Sequence, residues 1–150
     1  MKTRNFNDIK SEFSTRVEKM IWCNVATISP KQRPRSRIMH PVWEGSTGWV
    51  TSRRFATKAK HLEANPYVSL AYVADVAKPV YIECKAAWED DMDEKIRVWD
   101  FLKSTPEPYG FDPTMLFQTQ DNPNYGLLRL TPWRIELVNL PDAPLIWKIS

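Results

Sequence analysis

Glycine is scarce in this chain: only four occur in 150 residues, and two of them, Gly45 and Gly48, share the segment Glu44–Gly48, which reads as a hairpin turn. Cysteine is scarcer still. Cys23 and Cys84 sit in apolar, strand-like runs with no Cys or His spacing around them, which points to free buried thiols rather than a disulfide or a metal pair. The two histidines, His40 and His61, form no ligand spacing with anything, which argues against a zinc site. No apolar run reaches membrane-spanning length, and the opening MKTRNFNDIK lacks the apolar core of a secretion signal, so a cytoplasmic location without membrane attachment is the expectation. The chain shows neither a nucleophile triad nor a carboxylate pair, and no catalytic residue is named. Without an internal repeat or a dividing linker, residues 1–150 read as one domain.

What is present is a core and a concentrated charge. Hydrophobic residues make up 43% of the chain, with seven Trp, which fits a globular protein. Residues 31–60 hold eight Lys or Arg against one acid, Glu44, for a local charge of +7, while the other 120 residues carry −4. A block of this kind wants an anion, either a phosphate on a small cofactor or a nucleic acid backbone.

Periodicity places the elements around that block. Asn7 to Lys19 reads as a helix, with Ile9, Phe13 and Val17 every four residues and Asn7 as cap. Strands are expected over Met20–Ile28, Arg35–Trp43, Trp49–Ser52, Tyr67–Val73 and Val80–Trp88, the last with clean alternation of buried and polar positions. Thr57–Ala64 reads as a short helix ended by Asn65-Pro66. Asp90–Leu102 reads as an amphipathic helix with four acids in its first turn and Met92, Ile96 and Trp99 as its apolar stripe. The Pro-rich stretch 103–125 reads as an ordered loop, a structural cover over one barrel end or a lid. Leu127–Val138 is the last expected strand, bent at Pro132. The apolar tail from Pro141 is expected to pack on the body or on a second subunit. Six strands, mostly sequential, make a small antiparallel barrel.

Within the basic block, Arg35 and Arg37 fall on one face of their strand by the period of two. Thr51 and Ser52 end the next strand, and Arg53, Arg54, Thr57 and Lys58 follow, the last two opening the short helix. A hairpin joins the two strands, so these groups can converge. Flavin mononucleotide (FMN) asks for such a set: two or three cations and a hydroxyl for its phosphate, and a strand edge with an apolar wall for its ring.

The succession RSRIM, GWVTS and TKAKHLEANPYVSLAYV resembles the flavin-binding split barrel family typified by pyridoxamine 5′-phosphate oxidase, and more closely its short general stress-type flavoproteins. The likeness covers about residues 20–88, and RLTPWRIEL fits the family's last strand loosely. It implies a mainly β fold, a six-stranded antiparallel split β-barrel, that binds FMN as a homodimer with the cofactor between subunits. It implies that Arg37 and Lys58, with Arg35, meet the phosphate, that Ile38 and Met39 line the ring, and that Thr51, Ser52 and Thr57 supply polar contacts. Trp133 is a candidate to pack on the flavin from a second copy, or a buried or interface Trp without cofactor contact. Alternation turns His40 away from Arg37. Arg33, Arg53 and Arg54 have no assigned role, and the residues that hold pyridoxal phosphate in the oxidase are not found. The implied activity is FMN-dependent oxidoreduction of a small molecule. Deazaflavin or haem in the same barrel, a flavin sensor or store without turnover, and a basic nucleic-acid-binding barrel remain as alternatives, the last disfavoured because the bases are confined to one short region.

Overall fold

A computed structural model describes residues 1–149. After a two-residue strand β1 (Lys2–Thr3) and a 3-10 turn at Phe6–Asp8, helix α1 (Lys10–Lys19) leads into β2 (Cys23–Ile28), β3 (Pro34–Met39), β4 (Val42–Glu44) and β5 (Thr47–Arg53). Helix α2 (Thr57–Ala64), β6 (Tyr67–Tyr72), β7 (Val80–Trp88), α3 (Met92–Ser104), the single turn α4 (Thr114–Phe117), β8 (Tyr125–Asn139) and β9 (Asp142–Lys148) complete the chain. The fold is mainly β.

Hydrogen bonding runs β1-β9-β8-β7-β6-β2-β3, and β5 joins β8 to β4. Because β4 continues the path of β3, the strands β2, β3/β4, β5, β8, β7 and β6 close a ring that is split between β3 and β4. This is the expected six-stranded barrel, yet the described residues form nine strands in place of six. The expected strand 35–43 breaks at His40-Pro41, where proline has no N–H to extend the ladder. The other two additions are β1 and the tail, which forms β9 antiparallel to β8 rather than merely packing on the body. β8 changes partner on one edge, pairing β5 through Tyr125–Leu130 and β9 through Arg134–Asn139. Its register against β7 slips where Glu83 faces Arg134 and Cys84 faces Pro132, leaving Trp133 as the extra residue of a bulge.

Ile9, just before α1, and Phe13 and Val17 of α1 are fully buried and close one side of the barrel core, among Val25, Leu70, Ile82, Cys84 and Leu137. A second cluster packs α3 on the outside of β5 and β8 through Val98, Trp99 and Leu102 against Trp49, Tyr125 and Leu127. The inward face of α3 is thus Lys95, Val98, Trp99 and Leu102, which keeps Trp99 of the expected stripe but not Met92, which is exposed. Lys95 is tolerated there because its ammonium sits 4.7 Å from the Tyr125 ring centroid. Helix capping also differs from expectation. Asn5, not Asn7, accepts at the start of the 3-10 turn, and neither Ile9 before α1 nor Ala56 before α2 makes a side-chain cap. The Glu44–Gly48 hairpin closes with Gly45 at φ +61°, a conformation glycine adopts without strain.

Candidate functional site

Where β3 ends, β5 and the start of α2 stand beside the segment 108–116, and a cleft of about 520 Å³ opens between them. Ile38, Met39, Thr51 and Lys58, four of the residues singled out from the sequence, line it together with Trp22, His40, Val50 and Phe111. Lys58 and Met39 also border a small adjoining void that contains Arg37 and Thr27, so the guanidinium and the ammonium face one region from β3 and α2.

The electrostatics of that region are one-sided. Burial, and then the repulsion of Arg37, holds Lys58 below its usual basicity. Burial, and then Arg35, does the same to Arg37. Among the described residues, no carboxylate lies within 4.0 Å of Arg35, Arg37 or Lys58, although seven ion pairs form elsewhere. Arg37 Nη1 donates instead to Thr27 Oγ1 at 2.8 Å, and the Thr27 hydroxyl lies 3.5 Å from His61 Nδ1. His61 is buried, and burial followed by Arg37 and Arg35 lowers its pKa. Cations held together without counter-charge in a partly buried setting favour an anion such as a phosphate.

The remaining sequence candidates lie elsewhere. Arg35 is exposed on β3 and acts on Arg37 only through its charge. Ser52, paired with Gly126, and the exposed Thr57 lie next to the cleft in sequence without lining it. Trp133 borders a different groove, with Tyr67, Pro34 and Glu83. Of the unassigned bases, Arg54 binds Asp90 through both nitrogens at 3.0 and 3.1 Å and stacks 4.7 Å from the Trp88 ring centroid, so it holds β5 to the segment before α3.

His40 lines the cleft even though alternation from Arg37 turns it away, because regular strand geometry stops at Met39. Its Nε2 makes a 2.7 Å bond with the Tyr109 carbonyl, and Tyr109 Oη accepts from Trp43 N at 2.5 Å. These two bonds anchor the loop that forms the cleft's outer wall. Thr27 carried a weak signal as the inward residue after Cys23 and Val25 in an alternating strand, and the loop residues carried none.

A family model described as pyridoxamine 5′-phosphate oxidase matches residues 9–139. The chain belongs to the pyridoxamine 5′-phosphate oxidase family. Among solved structures, it is similar to a Clostridium acetobutylicum protein related to general stress protein 26 of B. subtilis, with 16% identity, a TM-score of 0.74 and 95% of each chain covered. It is also similar to an FMN-binding protein from Nostoc punctiforme, with 14% identity, a TM-score of 0.66, 95% of this chain and 87% of that one. The haem storage protein HutZ from Vibrio cholerae is 19% identical, with a TM-score of 0.69 over 89% of this chain and 99% of that one. At these identities the likeness is one of fold. A search of curated proteins finds no match.

Proposed function

We propose that this protein is a cytoplasmic, homodimeric FMN-binding flavoprotein and an oxidoreductase acting on a small molecule. The observation that carries the reading is the pair Arg37 and Lys58, half-buried together with no carboxylate within 4.0 Å, beside a cleft whose walls are largely apolar. A phosphate dianion answers that pair. Ile38 and Met39 offer the apolar wall a flat ring needs, and Thr51 offers a hydroxyl and backbone at the end of β5. Bound FMN supplies the hydride chemistry, while these residues bind and orient it. The Nostoc relative is described as FMN-binding, which agrees.

Dimerisation is supported by apolar side chains left in water beside the cleft. Ile38 is 68% exposed and Trp22 60% exposed, more than an isolated monomer gains from. Among the described residues, no helix is long and apolar enough to cross a membrane.

The deciding experiment is an absorbance scan of the purified protein, then denaturation and chromatography of what is released. Released FMN, with Arg37→Gln and Lys58→Met variants that lose it, upholds the reading. A colourless protein that takes up no added FMN overturns it, and a released deazaflavin or haem reassigns the cofactor.

A further inference from the structure

The cleft extends beyond Ile38, Met39, Thr51 and Lys58, the residues proposed above for the phosphate and ring. Trp22, His40, Pro108, Phe111, Met115 and Leu116 line that further end. The His40 ring lies 5.2 Å from Trp22 and 5.2 Å from Phe111, centroid to centroid. Met115 and Leu116 are 83% and 57% exposed on α4, so this wall presents a broad apolar surface. Asp112 also borders it; its Oδ1 accepts from Thr114 N at 3.0 Å, and its other oxygen is a second acceptor at this wall.

His40 presents an acceptor at this end. A carbonyl only accepts, so the bond to Tyr109 fixes the proton of His40 on Nε2. Nδ1 of the neutral ring is then an acceptor, and it bonds to nothing among the described residues. Burial keeps the ring neutral by holding its pKa below the usual value.

We infer that this end of the cleft is a subsite for a flat, uncharged aromatic molecule carrying an O–H or N–H group, its ring against Trp22 and Phe111 and its donor on His40 Nδ1. The inference rests on the flavin reading only in making that molecule a substrate. Its binding stands on His40 and the aromatic wall alone.

The test uses two probes of matched shape, 2-naphthol and 2-methylnaphthalene, titrated calorimetrically into the protein after FMN uptake has been measured by flavin absorbance. The naphthol is expected to bind about three- to tenfold more tightly, the worth of one hydrogen bond. His40→Phe should bring the two affinities together. Trp22→Leu, checked for an unchanged oligomeric state because Trp22 also faces the proposed second copy, should weaken both probes and keep their ratio, and it decides the matter where His40→Phe does not fold. Equal affinities in the wild type, a ratio that survives His40→Phe, a Trp22→Leu protein that binds unchanged, or no saturable binding each overturns the subsite. Displacement of FMN by either probe overturns it too, by giving this end to the flavin itself. Failure to take up FMN falls on the cofactor reading alone, since the same ratio can be measured on ligand-free protein.

Discussion

Arg37 Nη1 donates to Thr27 Oγ1 across the β2–β3 pair at 2.8 Å, so a neutral hydroxyl on the neighbouring strand aims the guanidinium. Thr27 is buried, and its hydroxyl has no replacement there. Thr27→Val keeps the shape and removes the acceptor. A hydrogen bond involving a charged group contributes about 1.5–3 kcal/mol, and FMN affinity should fall roughly tenfold. Thr27→Ser should retain it, and Thr27→Val should add nothing to an Arg37→Met protein. Titration of flavin fluorescence measures all four. An additive double variant would show that the two residues act separately.

Lys58 predicts a pH signature. Burial and Arg37 hold its pKa below the ordinary 10.5. Just under that pH the unfolded chain keeps a proton that the folded chain has lost, so this group makes stability rise with pH. The thiols act oppositely above their usual 9.0, and Lys95 acts in the same sense as Lys58. The readout is therefore the difference between wild type and Lys58→Met. Wild type should gain stability relative to the variant as pH approaches 10.5, and FMN should abolish that gain by favouring the charged ammonium. Urea midpoints with and without FMN test it. A pH-independent difference would mean that Lys58 is neither withdrawn from water nor held beside Arg37.

Much of this was legible from local pattern. The alternation of Val80–Trp88 and the breakers around Thr57–Ala64 set those elements to the residue, and the basic strand and helix start pointed to Arg37 and Lys58. Local pattern cannot show which strands pair. The Thr27–Arg37 bond depends on β2–β3 register, and the burial of Lys95 depends on where Tyr125 lies. The split at His40-Pro41 was written in the proline, but its consequence, His40 turning into the cleft, came from the chain's change of direction. The wall from Pro108 to Leu116 had no periodicity to read. Tyr109 fixes it through contacts 66 and 69 residues distant in sequence.

Cys23 and Cys84 should be inert in the folded protein. Burial pushes the Cys23 thiol up to about 12 and Cys84 up likewise, with 2% and 0% exposure. The thiolate is the reactive form. A disulfide-exchange reagent at neutral pH should label neither until denaturant is added, and then both. The protonated thiols contribute stability that is full below 9.0 and declines as pH rises towards 12. Rapid labelling of native protein would show that β2 or β7 opens locally.

Arg54 should be dispensable to the cofactor even though it sits in the basic block. Its charge is matched by Asp90, whose side chain is 62% exposed, so the pair contributes less than about 1 kcal/mol. Arg54→Leu should leave FMN affinity unchanged and lower stability slightly. A large loss of FMN would show that Arg54 leaves Asp90 for the phosphate.

Gly126 couples the fold to the cleft. A Cβ placed there would meet Ser52 O at 2.4 Å, the Trp88 ring at 2.6 Å and Arg54 Cα at 2.9 Å. Two of these are backbone of β5 and the residue after it, which cannot yield without shifting the strand. Overpacking of this kind costs about 1–3 kcal/mol. Because Gly126 pairs Ser52, next to Thr51 in the cleft wall, Gly126→Ala should weaken FMN binding as well as stability. Gly45→Ala is the control. Its φ of +61° makes the substitution strained, at about 1 kcal/mol, but nothing lies within 4 Å and the hairpin is remote from the cleft lining. It should lower the urea midpoint and leave FMN affinity alone. Equal effects of the two substitutions on FMN would mean that cofactor affinity follows global stability and not the position of β5.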